Sequence, residues 1–82
     1  SVYKSIYLID CSGGNRSLTM RDVDCVAGRE YIVKKTTGDS NSITIAREGG
    51  STKTFDGATS IGSSTAYAVL RITSNGTNWF TV

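Results

Sequence analysis

Histidine and proline are absent from this 82-residue chain, and cysteine occurs only twice. Without histidine, the commonest general base and the commonest metal ligand are both missing, and most of the enzyme repertoire goes with them. Long apolar runs are also missing. The longest stretches reach three or four residues, as in Tyr31-Ile32-Val33, too short for a membrane-spanning helix or a signal-peptide core. The net charge of +2 is spread along the chain, with Lys34-Lys35 the closest basic pair, so no stripe that would neutralise nucleic-acid phosphates is present. Cys11 and Cys25 lack the C-x-x-C spacing of redox or zinc sites and are read as free structural thiols.

What remains is Ser, Thr and Gly in abundance, with Val, Ile, Tyr and Thr in the stretches between turns: short strands joined by tight turns. The length allows one domain over residues 1–82. The absence of an initiator Met suggests a fragment or a processed chain.

Sliding the chain by about 25 positions aligns "CSGGNRSLTM" (Cys11 to Met20) on "TTGDSNSITI" (Thr36 to Ile45) without a gap. Each copy is a turn-rich loop followed by strict alternation, Ser17-Leu18-Thr19-Met20 and Ser42-Ile43-Thr44-Ile45, the period of a strand with one buried face. Strand candidates precede both loops, Lys4 to Asp10 and Glu30 to Thr36, so each unit reads as a β-hairpin. On such a register around Gly13-Gly14, Cys11 lies beside the turn and Cys25 falls past the pairing region. A third hairpin joins Ala66–Thr73 to Asn78–Val82 through Ser74-Asn75-Gly76-Thr77, where Asn75-Gly76 supplies the positive φ that a tight turn requires. Between them, "REGGSTKTFDGATSIGSS" reads as turns around one short strand, Lys53-Thr54-Phe55, with Asp56-Gly57 a second tight turn and Gly57 to Thr65 a loop without a motif.

A chain this short buries only about 60% of its unfolded surface, yet several strands are apolar on both faces: Ile6 and Leu8 alternate with Tyr7 and Ile9, and Tyr31 and Val33 with Ile32. The expected fold is all-β, a small antiparallel β-sandwich or barrel-like domain of successive hairpins. The two-sided strands should be covered by partner chains, with the more enclosed of Ile6 and Leu8 buried.

The order of "AGREYIVKKT", "NSITI", "KTFDG" and "YAVLRITSNGTNWFTV" resembles a domain recurrent in bacteriophage fibre proteins of the tail-fibre and head-fibre type. The matching positions are Gly28, Tyr31, Ile32, Lys34 and Lys35; Ile43, Thr44 and Ile45; Phe55, Asp56 and Gly57; and Ser74 to Trp79. "IDCSGGNRSLTM" resembles that domain's first hairpin, although Met20-Arg21-Asp22 stands where related sequences often carry Leu-Pro. The resemblance implies a trimeric β-rich module of the virion, assembled in the host cytoplasm and exposed on the particle. Its work would be structural and adhesive, without cofactor, metal or catalysis. The implied partners are two further copies of the chain, other phage virion proteins and a host cell-surface glycan, with neither nucleic acid nor membrane insertion. A capsid-decorating or fibre-assembly module that binds only phage proteins is the alternative.

Trp79 is read as a plug at the end of the core, packed against Leu70 or Ile72, in preference to a sugar-stacking residue. With it, Asn75, Gly76, Asp56 and Gly57 are the structural residues; no ligand-binding residue is assigned. Tyr3, Tyr7, Tyr31 and Tyr67 are expected to be mostly packed. Asp10, Asp22 and Asp24 lack the calcium-loop pattern, and Asp24 with Glu48 lacks the groove that glycoside cleavage needs. Asn15-Arg16-Ser17 and Asn75-Gly76-Thr77 match glycosylation sequons but read as turns. Lys34-Lys35 reads as a solvated strand edge, one lysine on each side.

Overall fold

The computed structural model describes residues 4–82, so Tyr3 lies outside the described residues. Seven strands form: β1 (Lys4–Ile9), β2 (Arg16–Met20), β3 (Glu30–Lys35), β4 (Ile43–Arg47), β5 (Ser60–Ser63), β6 (Val69–Ser74) and β7 (Trp79–Thr81), with one 3-10 turn at Asp22–Asp24. They build two sheets in the orders β1-β3-β6-β7 and β2-β4-β5. The all-β expectation holds, and of sandwich and barrel the sandwich of two sheets forms, but both sheets are mixed where antiparallel ones were expected.

The difference lies in the first two units. Neither closes a hairpin: β1 pairs in parallel with β3, and β2 in parallel with β4. The chain makes two successive turns around the core, each passing through both sheets, and the second turn lies on the first. Lys4 pairs with Glu30 and Arg16 with Ile43, shifts of 26 and 27 residues. The internal echo is therefore a structural repeat. The gapless alignment at 25 misplaces the β2/β4 rungs by two residues, which keeps each side chain on its correct face. Side-chain amides tie one turn to the next: Ser42 N–H donates to Asn15 Oδ1 at 2.9 Å, and Asn41 Nδ2 donates to the Cys11 carbonyl at 2.7 Å.

The other turns follow the sequence more closely. Asn75 Oδ1 accepts the N–H groups of Thr77 and Asn78, both at 2.9 Å, and Gly76 takes φ 93°, so β6 and β7 form the expected antiparallel hairpin. Asp56 and Gly57 both have positive φ, 52° and 85°, and Phe55 and Ala58 exchange two backbone hydrogen bonds across them. The expected strand Lys53–Phe55 shrinks to an isolated bridge at Phe55, and the motif-free loop contains β5 instead. Gly62 sits inside that strand because a Cβ there would stand 2.9 Å from the Ile43 carbonyl oxygen. It is a point of close backbone approach, and the residue that seemed to break the strand permits it.

Tyr31 and Val33 from β3, Ile72 from β6, Trp79 from β7, Ile43 and Ile45 from β4, Met20 from β2, and Phe55 fill the space between the sheets. Trp79 is 1% exposed, stacked on Phe55 at 6.4 Å between ring centroids and edge-on to Tyr31 at 5.6 Å. Its backbone is held as well, with its N–H on the Thr54 carbonyl and its own carbonyl accepting from Asp56 N–H. The Asp56 carboxylate then takes the Thr81 N–H at 3.1 Å and the Thr81 hydroxyl at 2.5 Å. The outer edge of β7 is thus occupied by the Thr54–Asp56 segment. Among the described residues no strand covers the outer edges of β1 and β2.

Cys11 and Cys25 are buried and free, but not for the reason a hairpin register would give, since that hairpin does not exist. Each is occupied locally: Cys25 Sγ lies 3.1 Å from Ser74 Oγ, and Cys11 Sγ points to the Ser42 carbonyl at 3.8 Å. The native protein should therefore resist a thiol reagent that labels both cysteines after denaturation. Mass spectrometry that recovered an intramolecular disulfide would contradict this arrangement.

Candidate interaction surface

Alternation divides each sheet into an inner and an outer face. The outer face of β2-β4-β5 carries Ser17, Thr19, Thr44, Ala46, Ser60 and Gly62, small or polar residues suited to water. The outer face of the four-stranded sheet is different. Register places Ile6 and Leu8 on β1, Ile32 on β3, Val69 on β6 and Phe80 on β7 on one surface, and Val82 continues it through its backbone bond to Arg71. Ile6, Leu8, Val69, Phe80 and Val82 are all exposed, Leu8 at 70%.

The shortest dimension of the molecule is 17 Å, the thickness of two packed sheets with no third layer, so among the described residues nothing covers this face. Ile6 and Leu8 are both exposed in the single chain, so the expected burial of the more enclosed of them would have to come from a partner chain. These exposed apolar side chains share the face with Lys4, Glu30, Lys34 and Arg71, and their number is what marks it out, since a monomeric protein rarely leaves so many large apolar residues on one sheet face. A half-open depression of about 570 Å³ lies on it among Ile32, Val69, Leu70, Arg71, Thr81 and Val82.

The charges on the face are already engaged. Glu30 bridges Arg71 at 3.1 Å and Lys4 at 3.7 Å, and the Lys34 ammonium donates to the Tyr67 carbonyl at 2.5 Å. Lys35, one residue on, points the opposite way and is fully buried, with no exposed side-chain area; its ammonium pairs with Asp39 Oδ1 at 3.0 Å and also bonds the Asp39 carbonyl. The pair Lys34-Lys35 is therefore not a solvated edge.

The remaining candidates have local roles. Asp24 pairs with Arg21 and Arg29, the Asp22 carboxylate accepts from Ser51, Asp10 accepts from the Ser12 N–H, and Glu48 accepts from the Asp22 N–H. Among the described residues no group of His, Cys, Asp or Glu converges on a common point. Asn15 and Asn75 spend their side-chain oxygens on backbone N–H groups. Of the described tyrosines, only Tyr31 is buried; Tyr7 is exposed although it stacks on Tyr31 at 6.1 Å, and Tyr67 is exposed on a turn, so most of the described tyrosines are not packed within the single chain. Burial raises the pKa of the Tyr31 hydroxyl, and the nearby Asp24 carboxylate adds to the effect.

The sequence signal for the apolar face was present on β1, but its extension through Val69, Phe80 and Val82 depended on knowing which strands are neighbours. Fold and face together define the class of molecule: a two-sheet β module wound as two stacked turns, with one wet outer face and one apolar outer face. No family model, curated protein or solved structure matches the chain.

Proposed function

We propose that this chain is a structural and adhesive module of a bacteriophage virion, a fibre or appendage domain. It assembles as a homotrimer through the apolar face of the β1-β3-β6-β7 sheet and presents its loops to the host surface. The contrast between the two outer faces carries this reading. The same chain solves the solvation problem on one sheet with Ser and Thr and leaves it unsolved on the other, a pattern expected where a further copy supplies the missing cover. The resemblance to phage fibre domains supports the trimeric order and the adhesive role. Its signature residues Asp56, Gly57, Asn75, Gly76 and Trp79 all hold the C-terminal strand, which leaves the loops free to vary.

Sedimentation of the pure chain at micromolar concentration should give the trimer mass. Leu8→Asp and Phe80→Asp should give folded monomers, because both positions are exposed in the single chain and matter only to assembly. A wild-type protein that stays monomeric would sink this reading. Retention by phage particles with none by host cells would move the function to capsid decoration or fibre assembly.

A further inference from the structure

The turn Thr65–Ala68 fixes an aromatic ring that the core does not use. Tyr67 has φ 55°, a left-handed conformation that is a genuine outlier for a bulky residue and persists only where the surroundings enforce it. Three hydrogen bonds do so here. The Tyr67 N–H donates to the Thr37 carbonyl at 3.0 Å, the Ala68 N–H closes the turn on the Thr65 carbonyl at 3.1 Å, and the Lys34 ammonium holds the Tyr67 carbonyl.

The ring gains little burial in return, since Tyr67 remains 57% exposed. Space has nevertheless been cleared behind it: a Cβ on Gly38 would stand 3.2 Å from Tyr67 Cε2, so the ring edge rests against bare backbone. The Lys34 ammonium lies 5.9 Å from the ring centroid, with two further protons to donate. The two loops that meet here, joined by the Tyr67 bond to Thr37, bring the exposed Thr36 and Thr65 to the same end of the sheet, beyond Val69 at the rim of the apolar face. A ring needed for packing would be buried, and a surface residue of no consequence would not be held in a costly backbone state.

We infer that Tyr67 is the stacking platform of a saccharide-binding site: the C–H face of a pyranose lies on the ring, the flanking hydroxyls meet its hydroxyl groups, and Lys34 takes a hydroxyl or a carboxylate at the rim. This rests on the host-contact part of the proposed function and gives that contact a place, separate from the assembly face.

The test is an array of immobilised neutral hexoses, N-acetylhexosamines and uronic-acid oligosaccharides, probed with the full chain alongside attachment to host cells. The wild type should be retained by at least one of these classes. Tyr67→Phe should bind within about threefold of it, since the ring is kept. Tyr67→Gly should bind about tenfold or more weakly, while its melting temperature stays level or rises, because glycine adopts positive φ without strain. Gly38→Ala, which displaces the ring without removing it, should also weaken binding in a folded protein. Unchanged saccharide binding by Tyr67→Gly would overturn the site and leave host contact standing, as would attachment to cells with no saccharide retained. Trimers that attach to neither cells nor saccharides would overturn both.

Discussion

Trp79→Ala should lower the melting temperature by roughly 15–30 °C. Removing a fully buried aromatic costs about 3–5 kcal/mol, and each kcal/mol shifts the midpoint of a domain this small by roughly 4–8 °C. Total stability for a chain of this length is on the order of 4–12 kcal/mol, so the variant stands close to unfolding at ordinary temperature. The loss is not spread thinly, because Trp79 touches both Phe55 and Tyr31 and its strand is the one the Asp56 turn clasps. Native fluorescence should be blue-shifted and move red only on unfolding. A fall of less than about 5 °C would mean that the indole is not the plug.

The second large effect concerns the buried charge. In Asp39→Asn, Lys35 keeps an ammonium with no exposed area and loses its carboxylate, and an uncompensated buried charge is among the most damaging changes a small core can suffer. The melting temperature should fall sharply, whereas Lys35→Met, which removes the charge and keeps the length, should stay near the wild type. A milder effect for Asp39→Asn than for Lys35→Met would refute this account of the pair.

The same contact sets an acid limb. Burial alone would raise the Asp39 carboxyl, but the hydrogen bonds it accepts from Lys35, Thr37 and the Asn41 N–H, with the Lys35 charge, together outweigh it and hold the group below the ordinary value of 3.8. A carboxyl with a depressed folded pKa adds stability that is complete above its unfolded value and disappears as pH falls through the folded one. Asp10, lowered by its hydrogen bonds with Ser12, has the same sign. Stability should therefore be flat down to about pH 4 and decline below it, and Asp39→Asn should show a shallower decline.

Local chemistry was legible in the sequence and partnership was not. The turns at Asn75-Gly76 and Asp56-Gly57 were readable because a positive φ leaves few choices of residue, and the role of Trp79 followed from the turn before it. Alternation in "SLTM" and "SITI" identified inner and outer faces correctly. Period two, however, says nothing about which strand lies alongside, so two hairpins were expected where two parallel rungs form. The loops Cys11–Asn15 and Thr36–Ser42 are short enough for a hairpin, yet each carries the chain from one sheet to the other. The same gap hid the apolar face, whose residues come from four strands. Lys35 was placed correctly on the side opposite Lys34, but only the fold shows that this side is the core and that Asp39 is there to receive it.

The bonds that Asp56 makes to β7 give the molecule a direction of growth. A further turn of about 26 residues spliced ahead of Lys4 would find the free edges of β1 and β2 side by side, in the spacing that the existing repeat already matches. One appended to β7 would meet an edge already taken by Thr54–Asp56. Duplication of a coil can therefore lengthen the four-stranded sheet from one end only, and the closing hairpin with its tryptophan stays at that sheet's far edge however many turns precede it.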